Sequence, residues 1–174
     1  MIAIVNTDLN WGIGAKGKLQ ISISADLKRF KSMTIGKVII YGSKTLATYP
    51  GQKALPGRRN LVLTRKKNLQ IENAESCSSL EELQHKIDKY KELYSYRDQD
   101  FVVVGGASVY EALLDQCSDV YLTRTYAEFP ADSYFPNLDM KSDWELVDRS
   151  EKMLDEKSGL SFAYLHYQKR TSFP

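Results

Sequence analysis

Short apolar runs separated by polar, helix-patterned segments recur along the chain. They predict strands at Ile2–Asn6, Lys37–Tyr41, Asn60–Thr64, Phe101–Val104 and Val120–Thr125, with two more at Trp144–Ser150 and Phe162–Gln168. A further short strand is allowed near Asn73. Helices are expected at Ala25–Met33, Lys44–Thr48, Leu80–Tyr94 and Ser108–Leu114, the first with Ser24 as its N-cap. Strands alternate with helices through the first two thirds, which argues for right-handed crossovers and a mainly parallel sheet. The C-terminal third changes to strands joined by loops, the mark of an antiparallel edge. Two connections, Asp8 to Ser22 and Tyr126 to Leu138, are long enough to be read as functional loops.

Composition narrows the classes. At 174 residues, 43% of them hydrophobic and 26% charged, the chain reads as one α/β domain spanning residues 1–174. A net charge of +2 and the lack of any basic block interleaved with aromatics argue against a nucleic-acid partner. Arg65-Lys66-Lys67 reads as a solvated strand end. Met1–Val5 is apolar but too short for a signal sequence, and nothing downstream is long enough to span a membrane. Cys77 and Cys117 lack CxxC spacing and fit reduced thiols in a cytoplasm. His85 and His166 have no evident serine or cysteine partner, and no residues show metal-ligand spacing, so no metal is expected.

The chemistry concentrates elsewhere. Phe101-Val102-Val103-Val104 runs into Gly105-Gly106 and then a helix beginning Ala107-Ser108-Val109-Tyr110-Glu111. Two residues without a Cβ allow a sharp turn, and the helix start offers unpaired N–H groups and a positive dipole end to an anion. Gly42-Ser43-Lys44-Thr45 follows another buried strand and gives a second anion-ready terminus, although its spacing is not that of a Walker loop. Asp26 falls in the first turn of a helix and shares a face with Phe30 and Met33, at i, i+4 and i+7. A half-buried carboxylate there should have a raised pKa and grip a cationic or hydrogen-bond-donating ligand edge. Leu55-Pro56-Gly57-Arg58-Arg59-Asn60 delivers two arginines, one of which can clamp a carboxylate through paired hydrogen bonds. Two helix termini for a long anion and one semi-buried acid favour redox chemistry with a borrowed cofactor over hydrolysis.

These motifs, in this order and together with Ile13-Gly14, Ser24-Ala25-Asp26-Leu27, Leu122-Thr123 and Asp132-Ser133-Tyr134-Phe135-Pro136, resemble the dihydrofolate reductase family from Ile2 to about Lys169. The resemblance implies an eight-stranded, mostly parallel sheet with an antiparallel C-terminal edge strand and helices on both faces. It implies NADPH-dependent reduction of 7,8-dihydrofolate by a cytoplasmic monomer with no metal. Asp26 and Thr123 would hold the pteridine, with Ile4, Val5, Leu27, Phe30, Tyr49 and Leu55 around the substrate and Arg58 on its glutamate tail. The cofactor would meet Ile13 and Gly14 in the first long loop, then Gly42, Ser43, Lys44 and Thr45. It would also meet Leu63, Thr64 and Arg65, and finally Val104, Gly105, Gly106, Ala107, Ser108, Val109 and Tyr110. The family joins the glycine pair by a cis peptide. The glycines at 12, 14 and 17 suit a lid over the nicotinamide.

The chain departs from the family pattern in places. Ile21 stands where a tryptophan is usual, Ser24 where a proline is, and Ser43 and Leu46 where an arginine and a tryptophan are. Recognition of the 2′-phosphate then falls to Lys44, Thr64 and Arg65. Two rivals are a same-fold reductase acting on a ribosylated pyrimidine, disfavoured by Asp26 and Arg58, and a non-catalytic nucleotide-binding module, which has no use for Asp26.

Overall fold

The computed structural model describes residues 1–19, 21–67 and 69–171. Strand β1 (Ile2–Thr7) leads through two short strands, β2 (Gly12–Ala15) and β3 (Lys18–Leu19), to helix α1 (Ser24–Thr34). Next come β4 (Val38–Gly42), α2 (Ser43–Leu46), β5 (Arg59–Leu63), β6 (Glu75–Cys77) and α3 (Leu80–Tyr94). β7 (Phe101–Gly105), α4 (Ala107–Leu113) and β8 (Asp119–Thr125) complete the alternating part. The C-terminal third holds β9 (Ser133–Tyr134), β10 (Trp144–Arg149), β11 (Met153–Asp155) and β12 (Leu160–Lys169).

The main sheet runs β10-β12-β8-β1-β7-β4-β5-β6, the eight strands expected, and β11 adds a short ninth by pairing with β12. From β8 to β6 every pairing is parallel. β12 runs antiparallel to β8, β10 and β11, so the antiparallel end of the sheet is wider than one edge strand. The central strands are buried on both faces, as their unbroken apolar runs require: Val38–Tyr41 and Phe101–Val103 are fully buried. Strand alternation sorts β1 between two apolar clusters. Ile2 and Ile4 pack with Phe30, Tyr49, Leu55 and Val104, while Ala3 and Val5 join the larger cluster with Trp11 and Tyr110. Helix α3 buries Leu83, Ile87 and Tyr90 at helical spacing, and Ser79 caps it by accepting from the Glu82 N–H.

Two expectations need correction. Ser24 is not the N-cap of α1. That position belongs to Ile23, whose side chain is fully buried and makes no capping bond. The backbone of Ser24 instead hydrogen-bonds to the Asp155 carboxylate. The short strand allowed near Asn73 is β6, which starts at Glu75 after a turn in which Asn73 takes a φ of 60°. The two long connections are not structureless: β3, β2 and β9 form a second, three-stranded sheet between them. Gly12-Ile13-Gly14-Ala15 is too short and too glycine-rich to announce a strand. No helix among the described residues is long and apolar enough to cross a membrane.

Candidate active site

The acid sits where α1 crosses β1 and β8. Asn6 and Thr123 are register partners on these adjacent parallel strands, so their side chains emerge side by side. Each meets Asp26. The Thr123 hydroxyl donates to Oδ1 at 2.5 Å and the Asn6 amide donates to Oδ2 at 2.9 Å. Burial raises the Asp26 pKa above the ordinary carboxylate value, and the bonds from Thr123 and Asn6 and the charge of Arg29 only partly oppose it. The result is an oriented, half-buried carboxyl group of the kind the helix spacing foretold. Thr123 was expected beside it. Asn6 was not, because only the strand register reveals it.

Beyond the acid and Arg29 the structure gathers an apolar wall that ends at a second cation, Arg58. Ile4, Phe30, Tyr49 and Leu55 share the smaller cluster, and Leu27, on α1, is left 54% exposed. Val5 lies on the other face of β1. At the end of the wall, Arg58 Nε donates to Thr34 Oγ1 at 2.9 Å and Nη1 to the Pro56 carbonyl at 2.7 Å. These bonds fix the plane of the guanidinium, whose carbon lies 5.9 Å from the Phe30 ring centre. Thr34, buried at the end of α1, is a second participant that the sequence conceals. Arg59 points elsewhere and stacks on Tyr94 at 3.8 Å, which leaves Arg58 to meet an anionic ligand end.

The two glycine turns come together at the C-terminal ends of β4 and β7. Gly105 and Gly106 are joined by a cis peptide, as the resemblance implies. A Cβ on either would lie 3.2–3.3 Å from Thr45 Oγ1, and one on Gly42 would lie 3.3 Å from Val109 Cγ2. Gly42 and Gly106 hold the N-cap positions of α2 and α4 without side-chain capping bonds, so the first N–H groups of both helices remain available. The crevice outside the carboxyl ends of parallel strands is where an open α/β sheet binds ligands. The cradle is therefore bare backbone, with Thr45 between the turns, and it fits a pyrophosphate. Ala107 is half-buried and Ser108 exposed at the start of α4. Tyr110, on the same helix, is buried and donates its hydroxyl to the Ile4 carbonyl at 2.6 Å, tying the cradle to β1 beside the acid.

The remaining residues expected to meet the cofactor differ in exposure and packing. Ser43, Lys44 and Arg65 are exposed. Thr64 is buried, and its hydroxyl accepts from the Lys66 N–H at 3.2 Å. Leu63 packs against the larger cluster, as does Ile13 from β2. Gly14 is held by the second long loop: its carbonyl accepts from the Asp132 N–H at 3.0 Å, and Asp132 Oδ2 accepts from the Lys16 N–H at 2.7 Å.

Comparison with known proteins follows the same lines. The family whose sequence model matches residues 1–169 is dihydrofolate reductase. The chain is 32% identical to the dihydrofolate reductase of Neisseria meningitidis serogroup A over 158 residues, 91% of each chain. It is 32% identical to that of Bacillus subtilis over 165 residues, 95% of this chain and 92% of the other. Among solved structures, the dihydrofolate reductase from Enterococcus faecalis complexed with NADP(H) and RAB-propyl superposes with a TM-score of 0.83 at 32% identity. That match covers 98% of this chain and 96% of the other.

Proposed function

Because the chain belongs to the dihydrofolate reductase family, we propose that Asp26 and Thr123 anchor the pterin of 7,8-dihydrofolate while the Gly42 and Gly105–Gly106 turns seat NADPH. The enzyme reduces 7,8-dihydrofolate to 5,6,7,8-tetrahydrofolate, and NADPH is its reductant. When bound, NADPH supplies the hydride that C6 of the pterin accepts, and N5 takes a proton.

The Asp26 carboxylate accepts from the 2-amino group and the adjacent ring nitrogen, which fixes the ring face presented to the cradle. Its raised pKa lets it hold a proton nearer neutrality than a solvated carboxyl group does, and it favours N5 protonation indirectly through water. Ile21 offers no side-chain donor, so polar organisation around the acid falls to Asn6 and Thr123. Ile4, Leu27, Phe30, Tyr49 and Leu55 line the substrate, with Val5 behind them, and Arg58 pairs with the glutamate carboxylate. The helix starts at Ser43 and at Ala107-Ser108 contact phosphate, with Thr45 between them. Leu63, Val104 and Val109 pack beside the dinucleotide, and Ile13, Gly14 and Tyr110 border the nicotinamide. Lys44, Thr64 and Arg65 supply positive charge and donors for the 2′-phosphate. The same proposal takes residues 1–174 as one domain acting as a cytoplasmic monomer on small molecules, without nucleic acid, membrane or metal. The two buried, unpaired thiols of Cys77 and Cys117 support the compartment.

The observation that carries the site assignment is the two-donor seat of Asp26. Asp26→Asn should slow hydride transfer at neutral pH by about a hundredfold while changing NADPH affinity little, as stopped-flow and cofactor titration would show. Equal losses in both would make Asp26 structural. Arg65→Ala should weaken NADPH more than NADH, and parallel losses would place the 2′-phosphate contact elsewhere.

A further inference from the structure

We propose that Asn6, itself locked by Thr125, is the positioning residue that orients the Asp26 carboxylate and sets the pH range over which the reductase works. The inference rests on the reading of Asp26 as the pterin anchor.

The register of the sheet makes the arrangement. Asn6 on β1 pairs with Thr123 on β8, and Thr125, two residues further along β8, emerges on the same face. The fully buried Thr125 donates its hydroxyl to Asn6 Oδ1 at 3.0 Å. That bond commits the amide oxygen and turns the amide nitrogen toward Asp26 Oδ2, 2.9 Å away. The flipped amide would set its oxygen against the carboxylate and leave the Thr125 proton without this acceptor, so one orientation is favoured twice. A helix-borne acid is thereby gripped from below by two strands, one donor to each oxygen. The donors leave the outer lone pairs of both oxygens for a ligand edge.

An amide stabilises the ionised carboxylate without titrating itself. The other groups facing Asp26 are few. Arg29, on its own helix, contributes attraction, while Tyr164 from β12 and Tyr110 from α4 are phenols whose ionisation burial pushes upward. Near neutral pH Arg29 is therefore the charge in this group besides the acid, and Asn6 is the uncharged donor opposing burial from the sheet side.

The test is the pH dependence of hydride transfer for the parent enzyme and for Asn6→Ala, Asn6→Asp, Thr125→Val and the Asn6→Ala/Thr125→Val pair. Asn6→Ala should move the midpoint of the profile to higher pH and lower kcat/KM for dihydrofolate at neutral pH about tenfold, with NADPH affinity unchanged. Asn6→Asp should move the midpoint further, since a like charge would then face the acid. Thr125→Val should shift it in the same direction by less, and should add nothing in the Asn6→Ala background. Unmoved midpoints in Asn6→Ala and Thr125→Val overturn the proposal, as does a loss of dihydrofolate and NADPH affinity in equal measure. If Asn6→Ala does not fold, Thr125→Val decides alone. Full activity in Asp26→Asn would instead overturn the anchor reading itself, so the two failures are distinguishable.

Discussion

Asp26 is held where its charge is disfavoured, and this has a consequence for stability as well as for chemistry. Its pKa is raised on folding by burial, beyond what Thr123, Asn6 and Arg29 restore. A raised acid binds its proton more tightly in the native state, so its contribution to stability is fully present below the unfolded pKa. It is lost as the pH climbs through the folded one. Asp26→Asn should therefore unfold at higher urea concentration than the parent at pH 7–8, with the gain shrinking as the pH falls into and below the ordinary carboxylate range and the Asp26 carboxyl takes up its proton. A gain independent of pH would mean that packing rather than ionisation limits stability at this position. Arg58 makes a different residue-scale argument. Its guanidinium plane is set by Thr34 and the Pro56 carbonyl, and a lysine cannot reproduce that fork. Arg58→Lys should raise KM for dihydrofolate about tenfold and change kcat much less, because the contact is made equally in ground and transition states.

At the scale of elements, the junction of β7 and α4 is where chain geometry and ligand geometry meet. Gly105 has a φ of 133°, and a Cβ there would press on Thr45 Oγ1 at 3.2 Å. Gly105→Ala should cost about 1–3 kcal/mol of stability in urea unfolding and weaken NADPH about tenfold by calorimetry, because strain and lost close approach act at one position. Unchanged NADPH affinity would move the phosphate cradle away from this turn. The junction was legible in the sequence because four β-branched or aromatic residues, the first three fully buried, running into paired glycines leave the chain few alternatives. Asp26 was legible for a similar reason, through its helical spacing to Phe30 and Met33. Other features depend on distant parts of the chain. The backbone of Ser24 meets Asp155 from a remote hairpin, so a serine at a helix start looked like a cap it does not make. Asn6 and Thr34 read as ordinary polar residues until strand register and helix crossing place them against Asp26 and Arg58. β2, β3 and β9 escaped notice because each is stable only with the others.

For the whole molecule, the question is how the small sheet, which carries Ile13 and Gly14, is held to the large one. Asp8 sits at the exit of β1 with its carboxylate fully buried. Oδ1 accepts from the Asn10 and Gly12 N–H groups, each at 2.8 Å, and Oδ2 accepts from the Phe129 N–H at 3.0 Å. Arg124, reaching across from β8, donates to the Asp8 carbonyl at 3.0 Å and lies 4.1 Å over the Trp11 ring. One side chain thus ties both long loops to the main sheet by bonds that are buried or partly buried. Asp132 makes the second tie, from an exposed position, to Lys16. The two ties should differ in what their loss costs. Asp8→Ala strands several backbone donors, some of them buried, and should destabilise the protein by about 2–4 kcal/mol. Asp132→Ala exposes its partner to water and should cost under about 0.5 kcal/mol. Both should slow hydride transfer, since each frees the segment bordering the nicotinamide, but only Asp8→Ala should also lower the urea midpoint substantially. Equal destabilisation by the two variants would show that the small sheet and the large one unfold as one cooperative unit, with no separate attachment at Asp8.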